Sequence, residues 1–376
     1  MAAWHGVELG DLRIEGERVS MRPFRADDAP AITAAMQDRR MHEFVVLPDP
    51  YTLDDARDYA ERISRQGRAD GTSIEGALVD TVSGRLIGSA GLRLPAGHAA
   101  AEIGYLVYPD AQGHGHAADA ARLLSDWAFG RELARVQIRA AVRNLASVRS
   151  ALRAGFRYEG TARAAVDTPA GPADAAVLAR LVGDPPGAML PAFSPLPSDG
   201  LADDAVSLRP LRPGDAQSLF EMESDPESLR WAFFCAPVTY ADMADFAERS
   251  ELNWLVGGQA SMAIVDRDTD ATAGTLTLRL AGPPGVGGIG YTMHPAFRGR
   301  GYTARALRLV RDWALRPVVA GGAGFHRLEL GAKWDNIASQ RAARSGGFAH
   351  DGMRLARLRN PDGTISDEIR FVALPD

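Results

Sequence analysis

The chain has one cysteine, Cys235, and one lysine, Lys333, among its 376 residues. One thiol excludes an intrachain disulfide framework and a cysteine-rich metal site. Beside Phe233 and Phe234, Cys235 reads as a buried, inert side chain rather than a nucleophile. No apolar run approaches the length of a membrane helix, and the N-terminus lacks the charged and apolar regions of a signal peptide. A soluble, cytoplasmic protein with no membrane partner is the expectation. Excess positive charge is missing too, since 42 Lys and Arg stand against 48 Asp and Glu for a formal net charge of -6. Neutralising phosphates requires a basic surface, so no nucleic-acid partner is expected, and a cationic amine suits the chain better.

What the chain does have is a repeat. Ile103-Gly104-Tyr105-Leu106-Val107, Gln112-Gly113-His114-Gly115-His116-Ala117 and Asp126-Trp127-Ala128 occur in the first half. They return 186 positions later as Ile289-Gly290-Tyr291-Thr292-Met293, Arg298-Gly299-Arg300-Gly301-Tyr302-Thr303 and Asp312-Trp313-Ala314. Upstream, Val19 to Pro23 and Asp28-Ala29 return as Val206 to Pro210 and Asp215-Ala216. Downstream, Asn144, Ser147 and Gly155-Phe156 return as Asn336, Ser339 and Gly347-Phe348 at an offset of 192, with the six extra residues most simply placed in the Gly-rich segment Val318 to Gly324. So long a period marks two copies of a whole domain rather than a solenoid. The chain is long enough for two domains of roughly 150 to 200 residues, each with its own core. Pro185, Pro186, Pro191, Pro195 and Pro197 mark a linker between them. The expected organisation is an N-terminal extension over 1–17, domains over 18–182 and 205–376, and a linker over 183–204.

Each copy opens with a short strand (18–22; 205–209) that its Arg-Pro ends, because proline donates no ladder hydrogen bond. Two helical stretches follow, the second over 53–66 and 240–252. Strands are expected over 73–80 and 85–93, and over 260–266 and 272–280, each pair a hairpin. Apolar residues recur at helical spacing over 117–130 and 303–315, which places Trp127 and Trp313 in the core. A strand (135–141; 327–331), a helix starting near Asn144 or Asn336 and a final strand pair complete the order. The succession β-α-α-β-β-β-α-β-α-β-β implies an α/β fold built on a mixed sheet with helices on both faces.

A helix N-terminus presents unpaired backbone N–H groups and the positive end of its dipole, and glycines let a phosphate come close. The segments Gln112 to Ala117 and Arg298 to Thr303 supply those glycines, although Gly-x-Gly alone also suits a tight turn with no ligand. Neither copy has the Gly-Lys-Ser/Thr ending of a nucleotide-hydrolysing P-loop. Together these residues resemble the GNAT superfamily of acyl-CoA-dependent N-acyltransferases, particularly the branch that acetylates N-termini of ribosomal proteins and many small amines. The family loop, Gln/Arg-x-x-Gly-x-Gly/Ala, is matched by Gln112, Gly115 and Ala117; the second copy matches at Arg298 and Gly301 and departs at Thr303. Asn followed eleven residues on by Gly-Phe is present twice. The resemblance covers about residues 18–182 and 205–374. It implies two tandem domains, each a mixed, mostly antiparallel sheet flanked by helices, with acetyl-CoA as cosubstrate.

The resemblance further implies cofactor contacts at Leu106, Val107, Gln112, Gly113, His114, Gly115, His116, Ala117 and Asn144. In the second copy they fall at Met293, Arg298, Gly299, Arg300, Gly301, Tyr302, Thr303 and Asn336. Arg298 and Arg300 suit a pyrophosphate through charge-assisted contacts, while His114 and His116 fit neither helical zinc spacing. In the family the strand before the loop carries a bulge that aims a backbone N–H at the thioester carbonyl, a donor worth about 3 kcal/mol. Tyr105 and Tyr291 on that strand are read as packing residues. A protonated amine must lose a proton before it attacks. Glu102, where the family often has a glutamate facing the acceptor, is the candidate base, and a solvated strand-edge carboxylate is the alternative reading. The second copy has Gly288 there, with His294 nearby. The departing thiolate needs a donor. The tyrosine of many family members is replaced by Ala151 and Ala343, whereas Ser147 and Ser339 match the serine of the ribosomal-protein branch.

Both copies are expected to bind acyl-CoA, with catalysis better supported in the N-terminal one by Glu102. Three activities stand open: acetyl transfer to the primary amine of a small molecule such as an antibiotic, its precursor or a polyamine; N-terminal acetylation of a protein; and acyl-CoA binding without turnover. The tandem architecture favours the first. Transfer is expected to be direct, because Cys235 has no evident base partner, and the protein to be a monomer or homodimer. Asp54, Asp55, Asp242 and Asp245 are placed to attract a cation, although helix starts favour acidic residues anyway.

Overall fold

The computed structural model describes residues 13–94, 100–232, 237–360 and 363–375. Phe233, Phe234 and Cys235 lie outside the described residues, as does most of the expected extension 1–17. The chain divides into two compact units, Met1–Leu190 and Pro191–Asp376. The first contains β1 (Val19–Arg22), α1 (Ala29–Met36), α2 (Leu53–Asp58), α3 (Ser64–Ala69), β2 (Ser73–Asp80), β3 (Leu86–Arg93), β4 (Ala100–Val107), α4 (His116–Phe129), β5 (Arg135–Ala141), α5 (Leu145–Arg153), β6 (Arg157–Thr168) and β7 (Gly171–Leu181). The second contains β8 (Leu201–Ala202), β9 (Val206–Pro210), α6 (Ala216–Ser224), α7 (Pro226–Trp231), α8 (Tyr240–Leu252), β10 (Gln259–Asp266), β11 (Thr272–Leu280), β12 (Val286–Met293), α9 (Tyr302–Ala314), β13 (Arg327–Lys333), α10 (Ile337–Ser345), β14 (Ala349–Arg359) and β15 (Ile365–Ala373).

The first sheet runs β1-β2-β3-β4-β5-β7-β6 and the second β14-β15-β13-β12-β11-β10-β9-β8. Pairing is antiparallel except between β4 and β5 and between β12 and β13. Parallel neighbours need a crossover, and α4 and α9 supply it. This is the expected mixed-sheet fold, twice.

Local chemistry starts each unit in the same way. Arg22 at the end of β1 grips Asp28 through two hydrogen bonds of 2.7 and 2.8 Å, and Asp28 also accepts from the Arg25 N–H at 2.8 Å. Arg209, Asp215 and the Arg212 N–H repeat the arrangement, all three bonds at 2.8 Å. These contacts tie the first strand to the first helix and account for the repeated Arg-Pro and Asp-Ala. Thr52 and Asp55 form a reciprocal capping box at the start of α2, as Thr239 and Asp242 do for α8. On one face of the first sheet, Ile74, Leu78, Leu92, Leu124 and Phe156 are fully buried. The other face packs Ala77 and Tyr108 against Ile32, Met36 and Tyr51.

Three departures from the sequence expectations have physical causes. The helix expected over 53–66 is interrupted by a π-helical turn, Tyr59–Ile63, between α2 and α3. The wide turn carries Tyr59 toward the sheet, where its hydroxyl bonds Glu75. Trp313 is buried as expected, with Trp254 and Phe193 in its cluster, but Trp127 is only half-buried and lies under the Arg131 guanidinium, 3.8 Å from the ring centroid. The Pro-rich stretch is not free coil throughout. The Met189 N–H donates to the Leu152 carbonyl in the first unit, whereas Phe193 enters the core of the second and Leu201 pairs with Leu208.

Burial alone disfavours the Asp28 anion, but the Arg22 bonds and the Arg25 N–H outweigh it, so the carboxyl titrates below its ordinary 3.8. A carboxyl depressed on folding contributes stability above its unfolded pKa and loses it as pH falls through the folded value. Asp28→Ala, which strands the Arg22 charge, is therefore expected to lower unfolding free energy by about 3–5 kcal/mol at pH 7. Urea denaturation should show that deficit shrinking below about pH 4, near the unfolded carboxyl pKa.

Candidate active site

Strand β4 pairs with β5 only from Ala100 to Glu102, while its ladder with β3 continues from Glu102 to Val107 without a register shift. The expected bulge therefore does not interrupt the β3 ladder; what frees the strand is its splay from β5. The Tyr108 N–H donates to the Ile87 carbonyl across β3 at 2.8 Å. Because backbone groups alternate sides along a strand, the N–H groups of Tyr105 and Val107, beyond the last β5 pairing at Glu102, face away from β3, into the gap. In the second unit β12 and β13 separate after Ile289, and the His294 N–H donates to Ala273 at 2.9 Å. The N–H groups of Tyr291 and Met293 take the same outlook there.

Each free edge leads into a glycine loop. Gly113 and Gly115 have φ of 83° and 86°, Gly299 and Gly301 have 78° and 77°, and such values favour glycine. Gly115 and Gly301 cap α4 and α9, whose first-turn N–H groups are the orphan donors of a helix start. A side chain at Gly113, Gly299 or Gly301 would meet no atom within 4 Å, so the cradle stands open. Gln112 braces the first loop by donating to the Val107 carbonyl at 3.0 Å, and His114 stacks on His116. Ala117 and Thr303 occupy the first helical turns. Arg18, which sequence reading passed over, donates to the His114 carbonyl at 2.7 Å and pairs with Asp119 at 3.0 Å. In the second loop Arg298 donates to Asp225 and Ser228, Arg300 lies 3.7 Å from Asp266, and the Tyr302 hydroxyl donates to Asp266 at 2.6 Å.

Across each gap stands the helix with the repeated Asn and Ser. Asn144 caps α5 by accepting from the Ser147 N–H at 3.1 Å, and Asn336 does the same for Ser339 at 3.0 Å. The Ser147 hydroxyl lies 3.0 Å from the Tyr105 hydroxyl, and Ser339 lies 2.7 Å from that of Tyr291. The two tyrosines, read as packing residues, therefore also bring a hydroxyl to the serine. Their sequence signal was recurrence of Ile-Gly-Tyr in both halves, although the tyrosine precedes its serine by 42 residues in one and 48 in the other. Burial pushes the Tyr105 phenol up to about 12 and raises that of Tyr291, so both remain neutral donors near pH 7.

Glu102 accepts from Arg139 Nε at 2.8 Å and Nη2 at 3.2 Å, and from Gln137 at 3.4 Å. It lines a cavity of about 540 Å³ on the side of the sheet under α1, α2 and the π turn, together with Glu75, Gly91, Gly104 and Tyr105. In the second unit Gly288 and Gly331 replace Glu102 and Arg139, and Arg279 Nη1 stands 2.9 Å from where a Gly290 side chain would begin. His294 bonds Glu221 at 2.9 Å.

A splayed parallel strand pair, an open glycine cradle at a helix start and a hydroxyl pair across the gap define an acyl-CoA transferase. The family model described as an acetyltransferase (GNAT) domain matches residues 18–157 and 206–349, and the chain belongs to that family in both halves. It is an acyltransferase with acetyl-CoA as its cosubstrate. No curated relative matches the chain. Solved structures similar to it include the Mycobacterium smegmatis RimJ in complex with CoA-disulfide, 20% identical, covering 48% of this chain and 89% of that one with a TM-score of 0.42. A ribosomal-protein-S5-alanine acetyltransferase from Vibrio fischeri is 19% identical, covering 47% and 100% with a TM-score of 0.40. The Microcin C7 self-immunity acetyltransferase MccE, solved with acetyl-CoA and AMP, is 17% identical, covering 44% and 94% with a TM-score of 0.41. Among the described residues no helix is long and apolar enough to cross a membrane.

A side chain at Gly115 or Gly301 would be strained at these φ values and would project into the cradle. Calorimetric titration of acetyl-CoA is expected to give a stoichiometry of two for the parent. Gly115→Val and Gly301→Val are each expected to give one.

Proposed function

We propose that the chain is an N-acetyltransferase that acetylates a primary amine of a small molecule directly, with the N-terminal unit as its catalytic half. The observation that carries this reading is the cavity of about 540 Å³ in that unit, which reaches from apolar walls such as Ile32, Met36 and Leu47 to Gly104 and Tyr105 on the splayed strand. A cavity of this size suits a compact ligand. Asp55, Asp58, Glu75 and Glu102 on its lining, against Arg93, favour a cation.

The residues present fit acetyl-CoA: the glycine cradles lie open and the strand edge offers unpaired donors. The N–H groups of Gly113 to Ala117 and the start of α4 would hold its pyrophosphate, and Asn144 would meet the pantetheine arm. Bound there, acetyl-CoA supplies the acyl group, whose thioester carbon accepts the amine lone pair as its bond to sulfur breaks. The backbone N–H groups facing the gap stabilise charge on the carbonyl oxygen without reorganising. The Ser147 hydroxyl, coupled to the neutral Tyr105 phenol at 3.0 Å, delivers a proton to the departing sulfur. Glu102, held by Arg139 and Gln137, stands at the acceptor end of the cavity as one half of an ion pair. In the second unit Arg279, the counterpart of Arg93, stands beside Gly290 with Gly288 and Ser261 in place of Glu102 and Glu75, so neither carboxylate offsets it there, which supports a binding role for that half.

Thiol release from acetyl-CoA, measured with a panel of small amines and N-terminal peptides, tests the reading. Turnover is expected with amines, and faster turnover with peptides would replace the small-molecule acceptor by a protein N-terminus. Ser147→Ala should lower kcat about 10²-fold with little change in the amine KM, as loss of a proton donor does. Ser339→Ala should leave turnover within a factor of about two.

A further inference from the structure

Glu75 on β2 pairs in register with Gly91 on β3, and Gly91 with Gly104 on β4. The three share one face of the sheet in a single row. Two strand spacings, about 10 Å, separate the Glu75 backbone from that of Gly104, and neither Gly91 nor Gly104 carries a side chain. A Cβ at Gly91 would come within 2.4 Å of the Ile74 carbonyl, so glycine is enforced there, whereas Gly104 has nothing within 4 Å of its Cβ position. A bare trench therefore leads from the Glu75 carboxylate along the cavity floor to the strand edge where the acyl group would lie.

The other titratable groups around the cavity are already engaged or face it from elsewhere. On the helical side, Asp55 accepts from the Thr52 N–H and hydroxyl, Asp58 pairs with Arg62 at 2.5 Å, and Tyr51 is buried. Arg93 stands on β3, one pleat beyond Gly91, and Tyr105 and Tyr108 on β4. Glu102 is clamped by Arg139. Glu75 accepts a hydrogen bond from Tyr59 and has no cationic partner among the described residues. Burial and the neighbouring Glu75 charge push the Tyr59 phenol well up, so it stays a donor to the carboxylate.

Resting on the acetyltransferase reading above, we infer that Glu75, rather than Glu102, is the group that takes the proton of the acceptor amine, with Tyr59 as its positioning residue. The ammonium proton passes to the Glu75 carboxylate, leaving the lone pair that forms the carbon–nitrogen bond. The second nitrogen proton, shed as that bond forms and the carbon–sulfur bond breaks, balances the one the departing sulfur takes from Ser147. Glu75 then returns its own proton to solvent. The second unit keeps Gly290 in place of Gly104 but lacks the rest of this device: Phe246, Ser261 and Thr277 stand where Tyr59, Glu75 and Gly91 stand in the first. The Thr277 hydroxyl lies 3.1 Å from that of Ser261, so the matching trench is filled.

The test is the pH dependence of kcat/KM for an amine that the parent acetylates. Glu75→Gln is expected to lower kcat/KM at least 10²-fold and to abolish the acidic limb of the profile, while calorimetry shows acetyl-CoA binding and hence an intact fold. Glu75→Asp, which keeps a carboxylate, should recover part of the rate and the limb, and Glu102→Gln should keep the limb. A Glu75→Gln enzyme with parental rate and limb, or loss of the limb in Glu102→Gln alone, overturns the inference and leaves the acetyltransferase reading standing. A parent that turns over no amine or peptide sinks both.

Discussion

The separation of β4 from β5 is the constraint on which the rest of each unit depends. Two parallel strands that pair for three residues and then diverge leave backbone donors and acceptors without partners, a state a fold tolerates only where solvent or a ligand can satisfy them. The crossover helix that parallel pairing demands begins at the same end of the sheet. Its capping glycine therefore stands where the free strand edge ends, and the orphan N–H groups of α4 join those of β4 in one continuous run of donors. A thioester joined through a long arm to a pyrophosphate has that distribution of acceptors. The second unit repeats the arrangement, although Ile289 keeps one more residue of parallel pairing.

Around this common frame the two halves have diverged in the elements that do not hold the frame together. The Arg-Asp ties at the unit starts, the capping glycines, the Asn caps and the Tyr-Ser pairs are present twice with closely similar geometry. The cavity face of the sheet differs more. The first unit has Tyr59, Glu75, Gly91 and the Glu102–Arg139 pair; the second has Phe246, Ser261, Thr277, Gly288 and Gly331 at the same places, with Arg279 over Gly290. Absence of Glu102 and Arg139 together leaves neither an unpaired carboxylate nor an unpaired guanidinium at the strand edge. The paired substitutions of Tyr59 with Phe246 and Glu75 with Ser261 follow the same logic.

Much of this was legible in the chain before any coordinates. Equal spacing within the glycine loop, and again within the set of Asn, Ser and Gly-Phe, located two domains, their loops and the serines opposite them, because those positions answer to backbone geometry and to contacts a few residues apart. The ranges 73–80, 272–280 and 240–252 are strands and a helix as expected, since their apolar periodicity or capping box is local. Trp127 was misplaced for the opposite reason. Helical spacing puts it on the same face as its counterpart Trp313, yet only the second unit brings Trp254 and Phe193 over that face.

By itself, then, the sequence determined the duplication, the order of elements, the family and the glycine loops at the helix starts, all of which follow from short-range pattern and turn chemistry. Tertiary structure alone decided which side chains meet. It set Tyr105 on Ser147 across 42 positions of sequence, Arg139 on Glu102 across 37, Tyr59 on Glu75 across 16, and two glycines of neighbouring strands in one row with Glu75. Strand register is fixed by hydrophobic burial and hairpin geometry over the whole sheet, so no local pattern reveals which carboxylate ends up facing an open cavity and which is neutralised by an arginine from the next strand.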